Sequence, residues 1–379
     1  MARYYIIAGE SSGDMHAANL MKQLKQRDAD ATFRFWGGDK MQAVGGTMVK
    51  HVNELAFMGF LEVACNIRTI LKNIRLCKKD IRAFNPDVLI LIDYPGFNLR
   101  MASYAKGIGI PVVYYICPQV WAWKQSRVHA IRKNTDKLLV ILPFEKEFYK
   151  GFNMDVDFPG HPLLDELIPL RESSEYATFK EKNGLPHKPV VALLPGSRKQ
   201  EIKRMLKDMT TVAAEFAGYQ FVVAGVSGQD PAIYEPHTRY ANVSLVTDQT
   251  YALLANARAA LVASGTATLE TALFRVPQAV CYKANPVSMF IARRLVKVKY
   301  ISLVNLIMDK PVLKELIQND FSQQKVKTEL DAILHDQTYR DSLQQAYREL
   351  EEKLGGTGAS ENAAASILEF LQDVQPGKN

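Results

Sequence analysis

The chain is poor in cysteine and contains no long apolar run, and both absences narrow its class. Four cysteines, Cys65, Cys77, Cys117 and Cys281, are scattered through 379 residues. None forms a CxxC pair or a zinc-type spacing, so neither a disulfide framework nor a structural metal is expected to organise the fold. Each sits among apolar neighbours, the setting of a reduced, buried thiol in a cytoplasmic protein. No run approaches the ~18 apolar residues that a membrane-spanning helix requires. The apolar stretch before Gly9 in "MARYYIIAGESSGD" is too short for a signal-peptide core and reads as a first strand. GxGxxG is missing, which argues against a nicotinamide cofactor, and GxxxxGK[ST] is missing, which argues against a P-loop nucleotide triphosphatase. The acid pair "DVD" at 155–157 has no further ligand cluster beside it, so no metal is assigned.

What remains is an ordinary soluble composition, 47% hydrophobic and 23% charged, in a chain long enough for two hydrophobic cores. The formal charge of +7 favours phosphate-rich partners without choosing among them. Strand-like runs rich in Val and Ile, without polar alternation, recur at 4–8, 33–37, 87–93, 111–117 and 137–143. Helical patterns start near Met15, Leu61, Leu99 and Lys124. Such runs are buried on both faces, as in a parallel sheet covered by helices. A polar stretch at 171–189 breaks the rhythm, which restarts at 190–196, 219–225, 243–247, 259–264 and 278–282. The fold class is therefore α/β, with two doubly wound Rossmann-like domains facing across a cleft. Their expected limits are 1–170 and 171–354; the tail after Pro311 reads as helical throughout, and its last helix, 355–379, is expected to pack back on the first domain.

Ligands of doubly wound sheets bind beyond the carboxyl ends of the strands, so the loops there are the places to search. In "LVASGTATLE" the strand ends near Ala263. Ser264 or Thr266 can cap the next helix, Gly265 permits close approach, and free amides with the helix dipole suit an anion. Glu270, one turn in, can accept hydrogen bonds from a ribose diol, or it can simply complement the dipole. "LLPGSRKQEI" repeats the logic: Ser197 caps, and Arg198 sits where a cation opposes the helix dipole unless a diphosphate is bound there. "IIAGESSGDMH" is a small-residue turn whose acids, Glu10 and Asp14, together with Ser12, suit sugar hydroxyls better than phosphate.

"DVLILIDYPGFN" places Asp93 directly after an apolar strand. Partial desolvation there raises the pKa of a carboxyl and fits it for general base work. Asn98 can cap the following helix. In "CPQVWAWKQSRVHAIRK" the tryptophans, including Trp121, and Gln119 fit sugar stacking, while Lys124 and Arg127 fit an anionic group. His129 is on the same segment, and His161 in "FPGHPLLD" reads as a ligand contact or a hinge. Residues 61–83 pair an apolar stripe of Ile67, Ile70, Leu71, Ile74 and Ile81 with a basic one of Arg68, Lys72, Arg75, Lys79 and Arg82. This is either a core-packed helix with a solvated side or one that docks on an anionic bilayer. The stretch 289–307 is a second basic-apolar segment.

Taken together, "GESSGD", "DYPGFN", "PQVWAW", "PFEKEFY", "GHPLLD", "LLPGSR", "ASGTATLE" and "SLVNLI", in order from residue 6 to about 307, resemble the lipid-A-disaccharide synthase family of inverting glycosyltransferases with the GT-B fold. The resemblance implies transfer of 2,3-diacylglucosamine from UDP to the 6-hydroxyl of 2,3-diacylglucosamine 1-phosphate, with no cofactor and no metal. It implies Asp93 as the base, Arg198 as stabiliser of the departing diphosphate, and Ser197, Ser264, Gly265, Thr266 and Glu270 as the UDP grip. Glu10, Ser12, Asn98, Gln119, Trp121, His161 and Asn305 would contact acceptor or sugar. Because both substrates carry acyl chains, the enzyme is expected in the cytoplasm, peripherally on the inner face of the inner membrane. No nucleic-acid partner is expected, and a homodimer is compatible with the resemblance. Val304 and Cys117 stand where the family commonly has proline and serine. A UDP-sugar epimerase would share the UDP loops but would not need a lipid-facing surface, and a non-catalytic basic protein would not need Asp93.

Overall fold

The uninterrupted Val, Leu and Ile runs form the interior strands of two six-stranded sheets, parallel throughout. The structure is a computed structural model that describes residues 2–55, 67–123, 125–285 and 299–374. It divides into two compact units, Met1–Pro162 with Leu354–Asn379, and Leu163–Lys353.

In the first unit, β1 (Arg3–Ala8), β2 (Thr32–Gly37), β3 (Thr47–His51), β4 (Val88–Ile92), β5 (Val112–Tyr115) and β6 (Lys137–Leu139) lie in the order β3-β2-β1-β4-β5-β6. Helices α1 (Ser11–Arg27), α2 (Asp39–Val44), α3 (Ile67–Phe84) and α4 (Pro95–Gly107) fall between its strands. All five residues of β4 are buried because side chains on both of its faces meet packed neighbours. The chain builds outward from β1 to β3 and then crosses back to β4, so the order reverses between β1 and β4.

The second unit opens with α5 (Leu163–Arg171) and orders its strands β12-β11-β10-β7-β8-β9. These are β7 (Val190–Leu194), β8 (Gln220–Gly225), β9 (Val243–Thr247), β10 (Ala257–Ala263), β11 (Gln278–Tyr282) and β12 (Glu315–Ile317). Here the order reverses between β7 and β10. Its named helices are α6 (Lys199–Thr210), α7 (Thr266–Leu273) and α8 (Leu303–Met308). Helix α9 (Ala359–Val374) closes the chain on the first unit, burying Ala363, Ala364 and Ile367 in one cluster with Ala17, Leu20 and Leu24 of α1.

Several expectations need correction. The boundary expected after residue 170 falls after Pro162, because α5 buries Leu163, Leu164 and Leu167 and its Arg171 bonds the Leu273 carbonyl at 2.7 Å and Glu351 at 2.5 Å. The tail after Pro311 is not all helical, since Glu315–Ile317 adds β12 beside β11. The last helix starts at Ala359 rather than 355: Gly355, Gly356 and Gly358 hold φ of +90°, +67° and +102°, which only glycine adopts without strain. The stretch 61–66, Lys124 and the basic-apolar residues 289–298 lie outside the described residues.

On α3 the buried line is Asn73, Cys77 and Ile81. It is pinned by Asp80, which takes a bidentate pair from Arg34 (2.8 and 2.6 Å) and a bond from the Tyr5 hydroxyl at 2.8 Å. Leu71, expected on the apolar stripe, is instead exposed among Arg68, Lys72 and Arg75, and Leu76 is exposed nearby.

Candidate functional site

At the β7/β10 reversal the loops after those two strands end at the starts of α6 and α7. In the first, Gly196 has φ +99°, and a Cβ there would fall 2.6 Å from the Glu201 carboxylate. Arg198, not Ser197, takes the N-cap position of α6, and its N–H donates to Glu201 at 3.4 Å. Ser197 is exposed, and its carbonyl accepts from Gln229 at 3.0 Å. The Arg198 side chain is 73% exposed and, among the described residues, held by a 3.5 Å contact to Glu201, so it can swing towards a ligand.

After β10, Ser264 is an anchor rather than a cap. Its N–H donates to the Cys281 carbonyl at 3.1 Å and its hydroxyl to the Ile301 carbonyl at 2.8 Å. Gly265 is the N-cap of α7, with no side-chain cap, and the space where its Cβ would stand is open. The first turn of α7 thus presents amides that a helix cannot satisfy internally, at the positive end of its dipole. Burial drives the Glu270 carboxyl upward, a hydrogen bond from Thr266 draws it back, and the Glu166 carboxylate raises it further. Ser197, Arg198, Ser264, Gly265, Thr266 and Glu270 line one pocket of about 400 Å³. Glu270, Thr250 and Val226 also line an adjoining hollow of about 560 Å³ walled by Tyr176, Phe179 and Tyr251. Sequence reading passed over these last residues, although Val226 and Thr250 follow β8 and β9 and obey the same strand-end rule.

In the first unit the β1/β4 reversal carries the candidate base. Asp93 and Tyr94 follow β4 with φ of +44° and +50°, two successive left-handed residues that are not glycine. Strain of this kind gathers at functional sites. The turn is pinned from three sides: the Asp93 N–H donates to Ile116 at 3.2 Å, and its carbonyl accepts from Tyr114 at 2.7 Å and Asn98 at 2.8 Å. The Asp93 carboxyl is pushed up to about 6, first by burial and then by the Glu10 carboxylate, with the Tyr94 amide opposing. Glu10 and Ser12 are exposed at the start of α1.

Four readings change. Asn98 is fully buried, and its amide also donates to Ile7 (3.3 Å) and Ile92 (3.2 Å), so it ties β1 to β4 instead of capping a helix or meeting a ligand. Asp14 accepts from the amides of Gly38 (2.6 Å), Lys40 (3.1 Å) and Met41 (3.2 Å), which makes it the cap of α2. His161 is buried, with burial and then the His16 imidazole holding its ring down at about 3, so it is a neutral interior group rather than a ligand contact, one residue from the end of the first unit's long segment at Pro162. Asn305 is buried and exchanges bonds with Leu313 (2.9 and 2.8 Å) and Glu315 (3.0 Å), tying α8 to the approach of β12. Gln119 remains exposed, and Trp121 is half-buried, edge-on to Phe144 at 4.9 Å.

Sequence comparison decides what this architecture is used for. The sequence profile described as lipid-A-disaccharide synthetase matches residues 4–369. The chain belongs to the lipid-A-disaccharide synthetase family. It is 39% identical to the lipid-A-disaccharide synthase of Syntrophus aciditrophicus and 36% identical to that of Geobacter metallireducens, covering 97% of both chains each time. Among solved structures it resembles a UDP-GlcNAc 2-epimerase from Neisseria meningitidis bound to UDP-GlcNAc, with a TM-score of 0.70 at 13% identity over 97% of this chain and 100% of that one. A calicheamicin glycosyltransferase gives 0.60 at 14% identity over 99% and 100%. At such identities the likeness shows the GT-B fold alone. Family membership carries the activity: the protein is a glycosyltransferase that forms the lipid A disaccharide.

Proposed function

We propose that the second unit binds the UDP of a UDP-2,3-diacylglucosamine donor, and that Asp93 of the first unit is the base for the 6-hydroxyl of 2,3-diacylglucosamine 1-phosphate. The observation that carries the reading is the pocket at the β7/β10 reversal. Two helix starts, a loosely held arginine and a partly desolvated glutamate converge there on a volume that suits a nucleoside diphosphate. Phosphate oxygens are met by the first amides of α7 and by Arg198, and the ribose hydroxyls by Glu270.

In the reaction the acceptor hydroxyl gives its proton to Asp93 as its oxygen bonds to the anomeric carbon. The breaking carbon–oxygen bond leaves its electron pair on the diphosphate, whose growing charge Arg198 and the α7 amides stabilise. Attack opposite the leaving group inverts the anomeric centre. No step in this scheme draws on a metal or an organic cofactor.

The lipid character of both substrates suits the outer face of α3, where Leu71 and Leu76 stand exposed among Arg68, Lys72, Arg75 and Lys79. Among the described residues no helix is long and apolar enough to cross a membrane, and we place the protein peripherally on the inner face of the inner membrane. Because fold neighbours include an epimerase, the discriminating experiment is mass spectrometry of two incubations. With both acylated substrates, disaccharide 1-phosphate and UDP are expected; with UDP-GlcNAc alone, no change. Epimerised UDP-GlcNAc and no disaccharide would refute the reading.

A further inference from the structure

Glu10 is an odd choice for its position. It occupies the N-cap of α1, where its carbonyl accepts the Asp14 amide at 2.9 Å, yet its side chain caps nothing. Serine, threonine, aspartate and asparagine serve that position better, and Ser11 and Ser12 follow it immediately. The α1 dipole favours a negative charge here, but it accounts for neither the longer side chain nor its failure to cap.

Its neighbours explain it. Ala8 and Ile92 are register partners on the adjacent strands β1 and β4, so Glu10 and Asp93 leave the sheet side by side, two residues and one residue beyond that pair. The two strand ends are locked together. Asn98 bonds carbonyls on both, and Gly9 lies so close to Tyr94 that a Cβ would fall 2.2 Å from its ring. The left-handed turn at Asp93 and Tyr94 swings the chain off the strand line here. Two carboxylates thus share the point where the strand order reverses, the usual ligand position of a doubly wound sheet.

We propose that Glu10 is a positioning residue acting through Asp93, a charge partner on the neighbouring strand end that makes Asp93 a stronger base towards the incoming alcohol. The inference rests on Asp93 being the base. A like charge nearby disfavours ionisation of a carboxyl, and burial of Asp93 acts in the same direction. Among the described residues, the other titratable groups facing Asp93 do not compete. Tyr94 on its own turn, Tyr114 on β5 and Cys117 beyond β5 are all raised by burial, so they stay neutral where Asp93 titrates. The nearby cation, Arg127, bears on Tyr114.

The test is the acid limb of kcat/KM against pH in the full-length protein at low ionic strength. Wild type is expected to gain activity as pH rises through about 6, when Asp93 loses its proton. Glu10→Gln should move that midpoint down by about half a pH unit, since Glu10 is exposed and its field is screened. Glu10→Asp should restore most of the shift, and about 1 M salt should shrink the difference between wild type and Glu10→Gln. An unmoved limb with kcat lowered at every pH would make Glu10 a substrate contact and overturn the proposal. Carboxyl carbon NMR of unliganded protein, with the Asp93 signal assigned by its loss in Asp93→Asn, reads the same midpoint without turnover; identical values in wild type and Glu10→Gln would also overturn it. Undiminished turnover by Asp93→Asn would remove the base assignment itself, a distinct failure.

Discussion

Arg198 stands 73% exposed at a helix start whose dipole repels it, held by one long contact to Glu201. A side chain so placed has much to gain from a dianion. Replacing it with alanine should weaken UDP binding about tenfold by calorimetry, on the order of 1.4 kcal/mol, and an unchanged Kd would dismiss it from the pocket. Asn305 makes the opposite case: its amide is consumed by Leu313 and Glu315 inside the second unit. Asn305→Ala should lower the Tm by roughly 5–10 °C by leaving buried partners unpaired. An unchanged Tm with lost ligand binding would return it to the contacts. Asp93 was legible as a candidate because a charged residue directly after a buried strand has few innocent explanations, and Arg198 because a cation at a helix start opposes the dipole. The uses of Asn98, Ser264 and Asn305 were not, because residue type does not reveal which way a small polar side chain points. Asparagine and serine satisfy a backbone carbonyl as readily as a ligand.

At the scale of elements, the buried strands declared themselves through unbroken Val, Leu and Ile runs, as β4 and β7 do. Two of the four edge strands, β3 and β12, did not. Thr47–His51 carries polar residues on an open edge, and Glu315–Ile317 is only three residues long, too short for any period to show. The helix Glu145–Lys150 begins with a carboxyl that sequence alone marked only as part of a motif. Glu145 is buried, accepts from the amides of Ile141 (3.2 Å) and Leu142 (3.0 Å), and is pushed up to about 7 by burial. Because its folded pKa is raised, its contribution to stability is complete below about pH 4.5 and is lost as pH rises through about 7, on the order of 3 kcal/mol. Glu145→Gln should therefore flatten the decline in denaturant midpoint across that window; an equal slope in both proteins would show that Glu145 does not titrate there.

At the scale of the whole molecule, two sheets show the same reversal of order, one carrying a carboxylate pair there and the other two helix starts beside an arginine. The repeated rhythm of apolar runs made this doubling visible, but the parting of the units after Pro162 was not, because the polar stretch at 171–189 drew attention away from α5. That stretch sits within the second unit, where Phe179 is buried. The basic outer face of α3 predicts that changing Arg68, Lys72 and Arg75 together to Glu weakens binding to anionic vesicles in co-sedimentation by roughly a hundredfold, at about 1 kcal/mol for each basic charge lost. Equal sedimentation of both proteins would leave α3 a solvated surface.

The most direct measurement is disaccharide formation by Asp93→Asn, followed by mass spectrometry with both acylated substrates present and paired with UDP calorimetry on the same sample. Turnover should fall by at least about a hundredfold with the UDP Kd unchanged, since asparagine keeps the shape of the turn but cannot take the proton. Turnover within a few-fold of wild type would contradict the assignment of Asp93 as the base.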